Sequence, residues 1–569
     1  MFVFKNNFKA EKFFANASHP LAKIYLEELD ENYREFKGTP IESFKFSLFK
    51  LFEETGNREE YQGVYYKQRR RLLTFILKVW LEGRQEDIYE LEDILWAICD
   101  EYSWAIPAHL NNSNRKKRPY VVDLFAAETG QAIAETLSLC GHVLQEQVKE
   151  RCIDEVFRRV IEPFENSHFW WEEANNNWAA VCGGAVGMAA LYLVEDEKKL
   201  RRITDRAISS CNNFLSSCTD DGVCLEGIAY WEYAMSLYVS FAELFKQRMG
   251  EDIMSDKEKL KKLSKFPDVS CLGKNIVIRF ADCGNHMNMP FGIVCRLAEI
   301  FDVKIPEMSY FTRLLTSTAR CCSAVRSFEW FKPELLSNNV KEENVFFSEA
   351  EWAIKRRGNN TLVIKGGHNG EPHNHNDIGS YMYIKGDDIL IDELGCPLYT
   401  KQYFSEHRYE YINSRSLGHS VPVINSYEQC PGREHRAESF FDENGSIRIS
   451  FAKAYEKKSA KVKKAVRTAK LSPNGLLIKD EFEFVGNSNI VNERIITHFD
   501  VKKNNEKSVS IIKDGNVIGT IEFYNDGKIT ILQDKYDTPG RNSKVQSCNI
   551  IDFEFCCDLN KCEICYFAK

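Results

Sequence analysis

Apolar residues in this 569-residue chain change their period once, near Phe346, and that change decides what the chain can fold into. Before it they recur every three to four positions, the spacing of a helix with one buried face. The pattern predicts helices over Tyr65–Trp80, Ile88–Tyr102, Asp123–Val143, Val148–Ile161, Trp178–Leu193, Lys198–Ser216, Tyr230–Phe245 and Phe291–Phe301. Several are apolar around most of their circumference, as buried helices of a large all-α domain must be. Thr219-Asp220-Asp221-Gly222 and Cys283-Gly284-Asn285 punctuate them as turns. After Phe346 the period drops to two. Thr361–Lys365, Ser380–Lys385, Ile389–Asp392, Val421–Asn425, Ser446–Phe451, Leu476–Phe484, Ser508–Lys513 and Thr520–Tyr524 read as short strands of an antiparallel all-β domain. The expected organisation is therefore two domains, residues 1–335 helical and 345–569 β, with the charge-rich stretch Ser327–Asn344 as the boundary.

Charge and composition exclude several functions. A net charge of −8 and a pI near 6.0 argue against a dedicated nucleic-acid binder. The strongest basic run, Arg115–Arg118, follows the turn-like Asn111–Asn114 and reads as a solvated loop or a contact for an anionic substrate. No apolar run is long enough to span a membrane, and the N-terminus has no apolar signal-peptide core. With 19 scattered cysteines, an odd number, the expectation is free thiols and a cytoplasmic location. Cys556, Cys557, Cys562 and Cys565 have the look of a zinc site. However, adjacent cysteines on a strand face opposite sides, so a terminal β-hairpin is the preferred reading.

The densest chemistry lies between Gly366 and Asp392. His368, His373 and His375 crowd together, Asp377 follows, and a strand ends in Asp392. Histidine is the side chain best suited to ligate a metal or move a proton near neutral pH, so a local excess among glycines marks a site. Three patches in the helical half place polar groups beside aromatic faces: Tyr102, Trp104 and His109; Asn175-Asn176-Asn177-Trp178; and Glu226-Gly-x-x-Tyr230-Trp231. Capping accounts for one asparagine at a helix start, not for three. Such mixed surfaces suit pyranose rings, which offer apolar C–H faces and polar rims.

In their order along the chain, from about Tyr65 to Arg436, these elements resemble the heparinase II/III-type polysaccharide lyases. The Asn-rich helix start, Glu-Gly-x-x-Tyr-Trp, His373-Asn-His375-Asn-Asp377, the strand Leu390-Ile391-Asp392 and Gly418-His419-Ser420-Val421 all carry the likeness. The resemblance implies an incomplete (α/α) toroid followed by a C-terminal antiparallel β-sandwich. It also implies a carbon–oxygen lyase that cleaves 4-linked uronic acid glycans by β-elimination, with glycosaminoglycans the leading substrates. Elimination requires a donor that neutralises the uronate carboxylate, a base for the C5 proton and an acid for the departing O4.

By residue match, Asn177 meets the carboxylate, Tyr230 is acid and also a candidate base, and His373 is a base. The same match implies one divalent metal, zinc with manganese or calcium as alternatives, held for structure by His375, Asp392 and His419. Asp377 and His368 are left as supporting loop residues. Trp104, His109, Asn176, Tyr411 and Arg415 are the expected substrate contacts, the last two from a run with four tyrosines and Lys401, Arg408 and Arg415. The partner implied is an anionic glycan, with no nucleic acid and no membrane. Two departures from the family pattern stand out: Trp178 after the key Asn, where relatives carry His, and Ser420-Val421 where they carry Asn-Thr. An oligoalginate lyase, a glycoside hydrolase using Glu226 and Asp377, and a non-catalytic carbohydrate-binding protein are the alternatives.

Overall fold

The structure is a computed structural model, and it describes residues 2–110, 114–254, 257–284, 287–315, 320–336, 344–538 and 544–569. Asn111–Ser113 of the turn-like segment, Asn285 and part of the anticipated boundary lie outside the described residues. The chain divides into two compact units. One comprises residues 1–218, 229–268 and 288–338; the other comprises 219–228, 269–287 and 339–569. A single cut near residue 340 does not reproduce this division, because two segments from the helical half cluster with the β unit. Local bonds show why. Asp220 N–H donates to Glu349 at 2.7 Å and Glu349 N–H to Asp221 at 2.8 Å, while Arg356 donates to the Cys271 carbonyl at 3.1 Å.

The helical unit is the incomplete (α/α) toroid that the family resemblance implies, built from the helices that the apolar period predicts. Its main helices are Glu59–Glu82, Gln85–Cys99, Leu124–Cys140, Glu146–Val156, Asn177–Leu193, Glu197–Ser217, Ile228–Met249 and Phe291–Phe301. The sequence reading missed Pro20–Phe36, Phe46–Thr55, Lys257–Ser270 and Cys321–Glu329. Among the described residues, side chains cap four α-helix starts here: His19 accepts from Leu21 N–H, Asp123 from Ala126 N–H, Asn176 from Trp178 N–H and Asp196 from Lys199 N–H. The helix Asn177–Leu193 is buried on nearly every side, and its glycines make that possible. A Cβ on Gly183 would meet Ala207 and Ser210, one on Gly184 would meet the Leu237 backbone at 2.9 Å, and one on Gly187 would strike the Phe241 ring at 2.4 Å.

These contacts also give direction. Ser210 bonds back to Ala179 while Gly183, about one turn further on, faces Ala207, so Glu197–Ser217 runs antiparallel to Asn177–Leu193. Ile228–Met249 meets it at Gly184 with Leu237 and at Gly187 with Phe241, which is a parallel register.

Among its described residues the β unit holds three large antiparallel sheets and two two-stranded ones. Five strands in chain order, Val345–Phe347, Trp352–Arg357, Asn360–Lys365, Tyr381–Lys385 and Asp388–Ile391, form one sheet. An eight-stranded sheet runs from Ser439–Glu443 through Val462–Ser472, Gly475–Phe484 and Lys561–Ala568 to Asp500–Asn505. A four-stranded sheet contains Lys528–Thr538, Lys544–Cys557, Asn489–Thr497 and Val423–Ile424. Alternation does what it predicts: inward Leu476, Ile478, Asp480, Phe482 and Phe484 are buried while their neighbours are half-buried. Leu362, Ile478, Ile495 and Ile551 join one apolar core drawn from all three sheets, the filling of a β-sandwich. One expectation fails here. The cysteine-bearing strands Lys544–Cys557 and Lys561–Ala568 are not a hairpin, because the first pairs with Asn489–Thr497 and the second with Gly475–Phe484 in different sheets.

Within this core, Arg467 is fully buried with two acids. It donates to Asp480 and Glu493 and, through Nη1, to the carbonyls of Gly379 at 2.9 Å and Ser420 at 2.7 Å. Gly379 and Ser420 belong to the two loops that carry the histidine chemistry. A core cation thus ties down both loops from beneath.

Candidate active site

In the helical unit, Asn177 is the first residue of its helix, with Asn176 as the cap. Tyr230 is the third residue of Ile228–Met249 and is half-buried. The parallel register of these helices aligns the two. Seven residues, about two turns, before Gly184 and Leu237 stand Asn177 and Tyr230, so both emerge at the same end of adjacent helices. Two helix N-termini at one end favour a negative charge there. Trp231, next to Tyr230, is fixed by its indole N–H on the Leu263 carbonyl at 2.9 Å. His109 packs at a tilt against Trp178, ring centroids 4.8 Å apart, and holds Asp123 at 2.7 Å; burial lowers its pKa. Trp178 also packs against Trp170, which is 63% exposed. Trp104 must be withdrawn as a substrate contact. It is 1% exposed, gives its indole N–H to the Ile98 carbonyl and lies under the Arg159 guanidinium, so it is core.

In the β unit, the histidine block converges on an acid the sequence did not nominate. Asp282, buried, accepts from His373 Nδ1 at 2.7 Å, His375 Nε2 at 3.0 Å and Arg408 Nη2 at 3.2 Å, and also from the Tyr403 hydroxyl. Burial alone would raise its pKa, but hydrogen bonds from His373 and His375 and the charge of Arg408 hold it well below the usual carboxylate range. His373 sits at φ +57°, the left-handed region, at a cost of about 1–2 kcal/mol for a residue with a Cβ. Its Nε2 faces Glu226 Oε2 at 3.6 Å. Strain of this kind persists where surrounding bonds over-determine a side chain.

His375, Asp377 and His419 bring ligand atoms within 4.8 Å of one another, all buried. This group could hold a metal ion, and it differs from the expected set in having Asp377, while Asp392 is engaged elsewhere. Its carboxylate takes Arg279 at 2.6 Å and His498 Nδ1 at 3.0 Å. The remaining donors fit a cation. His375 Nδ1 and Asp377 Oδ2 are buried polar atoms with no hydrogen-bond partner, and an orphaned lone pair aimed into a donor cluster is what an ion would satisfy. Burial pushes the His375 pKa down to about 4, which keeps its lone pair available at neutral pH. His419 donates through Nδ1 to Glu393 and through Nε2 to the Asn413 carbonyl at 2.7 Å, and would exchange one of these for the ion. Burial opposes a charge on His419, but Glu393 outweighs it and raises the pKa. Lys365, at 2.8 Å, compensates Asp377 from the other side.

The remaining candidates are tied into the fold. The Tyr411 hydroxyl bonds Thr400 Oγ1 at 2.6 Å, and Arg415 Nε holds Glu428 at 3.1 Å. His368 turns its Nδ1 to Gly370 N–H at 3.2 Å.

An incomplete (α/α) toroid and an antiparallel β-sandwich in one chain define the fold class of the heparinase-type polysaccharide lyases, and solved structures agree. The chain resembles heparinase III over 100% of its own length and 92% of that chain, with a TM-score of 0.62 and 11% identity. It resembles a heparan sulfate lyase, HepC, from Pedobacter heparinus over 99% and 85%, at 0.57 and 14%. For a Streptomyces coelicolor chondroitin AC lyase in complex with chondroitin sulphate the figures are 97% and 80%, 0.54 and 9%. No family model matches the sequence, and no curated protein matches it. Among the described residues no helix is long and apolar enough to cross a membrane.

Proposed function

We propose that this protein is a polysaccharide or oligosaccharide lyase acting on 4-linked uronic acid glycans, with glycosaminoglycans as its substrate class. The observation that carries the proposal is the pairing of Asn177 and Tyr230 at one end of two parallel helices, in a chain whose fold follows lyases along its full length. Asn177 donates its amide to the uronate carboxylate and stabilises the enolate-like intermediate. Tyr230 protonates the departing O4, and serves also as base when proton and leaving group share a face. His373 is the base when they lie on opposite faces. His375, Asp377 and His419 would hold a divalent metal, which would stiffen the loop that presents His373 and would take no part in the elimination. Zinc suits two imidazoles and a carboxylate, with manganese or calcium as the other ions to test.

A glycoside hydrolase needs two working acids. Asp377, one of the two nominated, is fully buried and neutralised by Lys365, which disfavours that reading. An oligoalginate lyase is the second reading, favoured by Arg415 being paired with Glu428 rather than presented to a sulfate. Incubation with heparan sulfate, chondroitin sulfate, hyaluronan and alginate, and with their oligosaccharides, separates these readings. Ultraviolet absorbance of the 4,5-unsaturated product on one of them identifies the substrate. Silence on all of them sinks the lyase assignment.

A further inference from the structure

We propose that Asp282 is a positioning residue that sets the two histidines of the His-x-His element in opposite tautomers. The inference rests on the roles just proposed for His373 and His375, and its support is geometric. A carboxylate offers four acceptor positions, two on each oxygen. At Asp282 all four are taken: Oδ1 by His375 Nε2 and the Tyr403 hydroxyl, Oδ2 by His373 Nδ1 and Arg408 Nη2. A carboxylate so placed only accepts, so each imidazole must present an N–H to it. The ring atoms presented differ. His373 gives Nδ1, which leaves Nε2, the atom facing Glu226 Oε2 at 3.6 Å, as the nitrogen that takes up a proton. His375 gives Nε2, which turns its Nδ1 lone pair toward Asp377 and His419, where that atom is buried without a partner.

One acid therefore assigns one histidine to proton transfer and the other to the ion. Acids that orient a metal-bound imidazole are a general device. What is specific here is that the same carboxylate also fixes the neighbouring base. Asp282 lies 91 residues from His373 and 93 from His375 along the chain, within the segment 269–287 that clusters with the β unit. The Cys396 N–H bond to the Cys283 carbonyl at 3.2 Å, next to Asp282, holds that segment in place.

The test uses the whole protein and needs no substrate for its first two readouts. In wild-type, zinc-free protein with ¹⁵N-labelled histidine, His373 should carry its proton on Nδ1 and His375 on Nε2. The same tautomer at both positions overturns the proposal, and this measurement does not depend on any variant folding. Zinc titration of Asp282→Asn should then show affinity lower by about 10–100-fold, since an amide oxygen can accept from one ring but its NH₂ cannot accept from the other. Affinity within about threefold of wild type would also overturn it. Where a substrate is turned over, kcat should fall in Asp282→Asn with KM little changed, and Asp282→Glu should recover part of it. If tautomers and zinc affinity behave as stated while no glycan is cleaved, the lyase reading fails and the role of Asp282 stands.

Discussion

The helical unit and the β unit bury charge in different ways. Among the described residues of the helical unit, the ion pairs with both partners deeply buried stand apart from one another. Arg69 forks onto Glu101 at 2.7 and 2.6 Å, and Arg326 meets Glu135 at 2.8 Å. In the β unit they come as connected groups. Asp282 gathers His373, His375 and Arg408; Lys365, Asp377 and the His419–Glu393 pair adjoin the same histidines; and Arg467 binds Asp480, Glu493 and both loop carbonyls. A pair needs only local complementarity, and helix packing provides it. A connected group costs more desolvation and is held only when each member satisfies the next. The helical unit therefore presents its candidate residues from helix ends, on packing that small residues make close. The β unit presents its own from loops, which only a buried polar network can fix.

Catalysis gives the sharpest way to break this comparison. Tyr230→Phe removes a hydroxyl from a helix start whose packing rests on Trp231 and the glycine contacts. Turnover should fall by about 10²–10⁴-fold with the melting temperature unchanged. A near-normal rate would return Tyr230 to a packing role. The next effect is on stability. Arg467→Met leaves Asp480 and Glu493 buried without their cation and frees two carbonyls, at a cost in the upper part of about 3–5 kcal/mol. Arg326→Met leaves one acid, Glu135, which also accepts from Gln131 and Tyr192, and should cost less. Denaturant unfolding of the two variants ranks them, and a reversed order would contradict the distinction between pairs and networks.

Acid titration supplies a third, smaller effect. Glu371, buried near Gly367 and His368, has its pKa pushed up to about 7 by desolvation, against the lowering influence of Lys365. It is neutral in the fold and ionises in the unfolded chain near 4.5. The folded state thus holds the extra proton between those values. Stability is fully present below the lower value and is lost as pH rises through the upper one, by about 3 kcal/mol in all. Glu371→Gln cannot ionise, so melting temperatures of the variant should change less than wild type between pH 5 and pH 8. Equal changes would show that Glu371 is solvated.

What could be read in the sequence follows from how local each feature is. The eight helices anticipated were found because each carries its own period. Pro20–Phe36 was missed, its apolar positions diluted by Glu27, Glu28, Asp30, Glu31 and Arg34. His373 and His375 were visible as one contiguous motif. Asp282 was not, because it stands outside any periodic segment and meets them only through the fold. The family match that nominated Asp392 rather than Asp377 as a ligand was equally blind to the fold. The two acids look equally good in sequence, and only the folded chain shows Asp392 taken by Arg279 and His498 while Asp377 lies with His375 and His419. Trp104 read as a sugar platform because burial leaves no mark on a single aromatic residue.

Arg415 gives the smallest effect and tests whether loop cations of the β unit serve the fold or the substrate. Its side chain is 37% exposed and its guanidinium lies on Glu428, which also accepts from Leu417 N–H at 3.1 Å. An ion pair this open contributes about 0.2–1 kcal/mol, so Arg415→Ala should barely move the melting temperature. Binding is the informative readout. If the arginine leaves Glu428 to fork onto a substrate carboxylate or sulfate, KM for the best glycan rises severalfold in Arg415→Ala. Glu428→Gln, which releases the guanidinium, then lowers KM. If both variants keep the wild-type KM, Arg415 belongs to the loop scaffold, and substrate charge is met in the helical unit, where the N-termini of Asn177–Leu193 and Ile228–Met249 share one end.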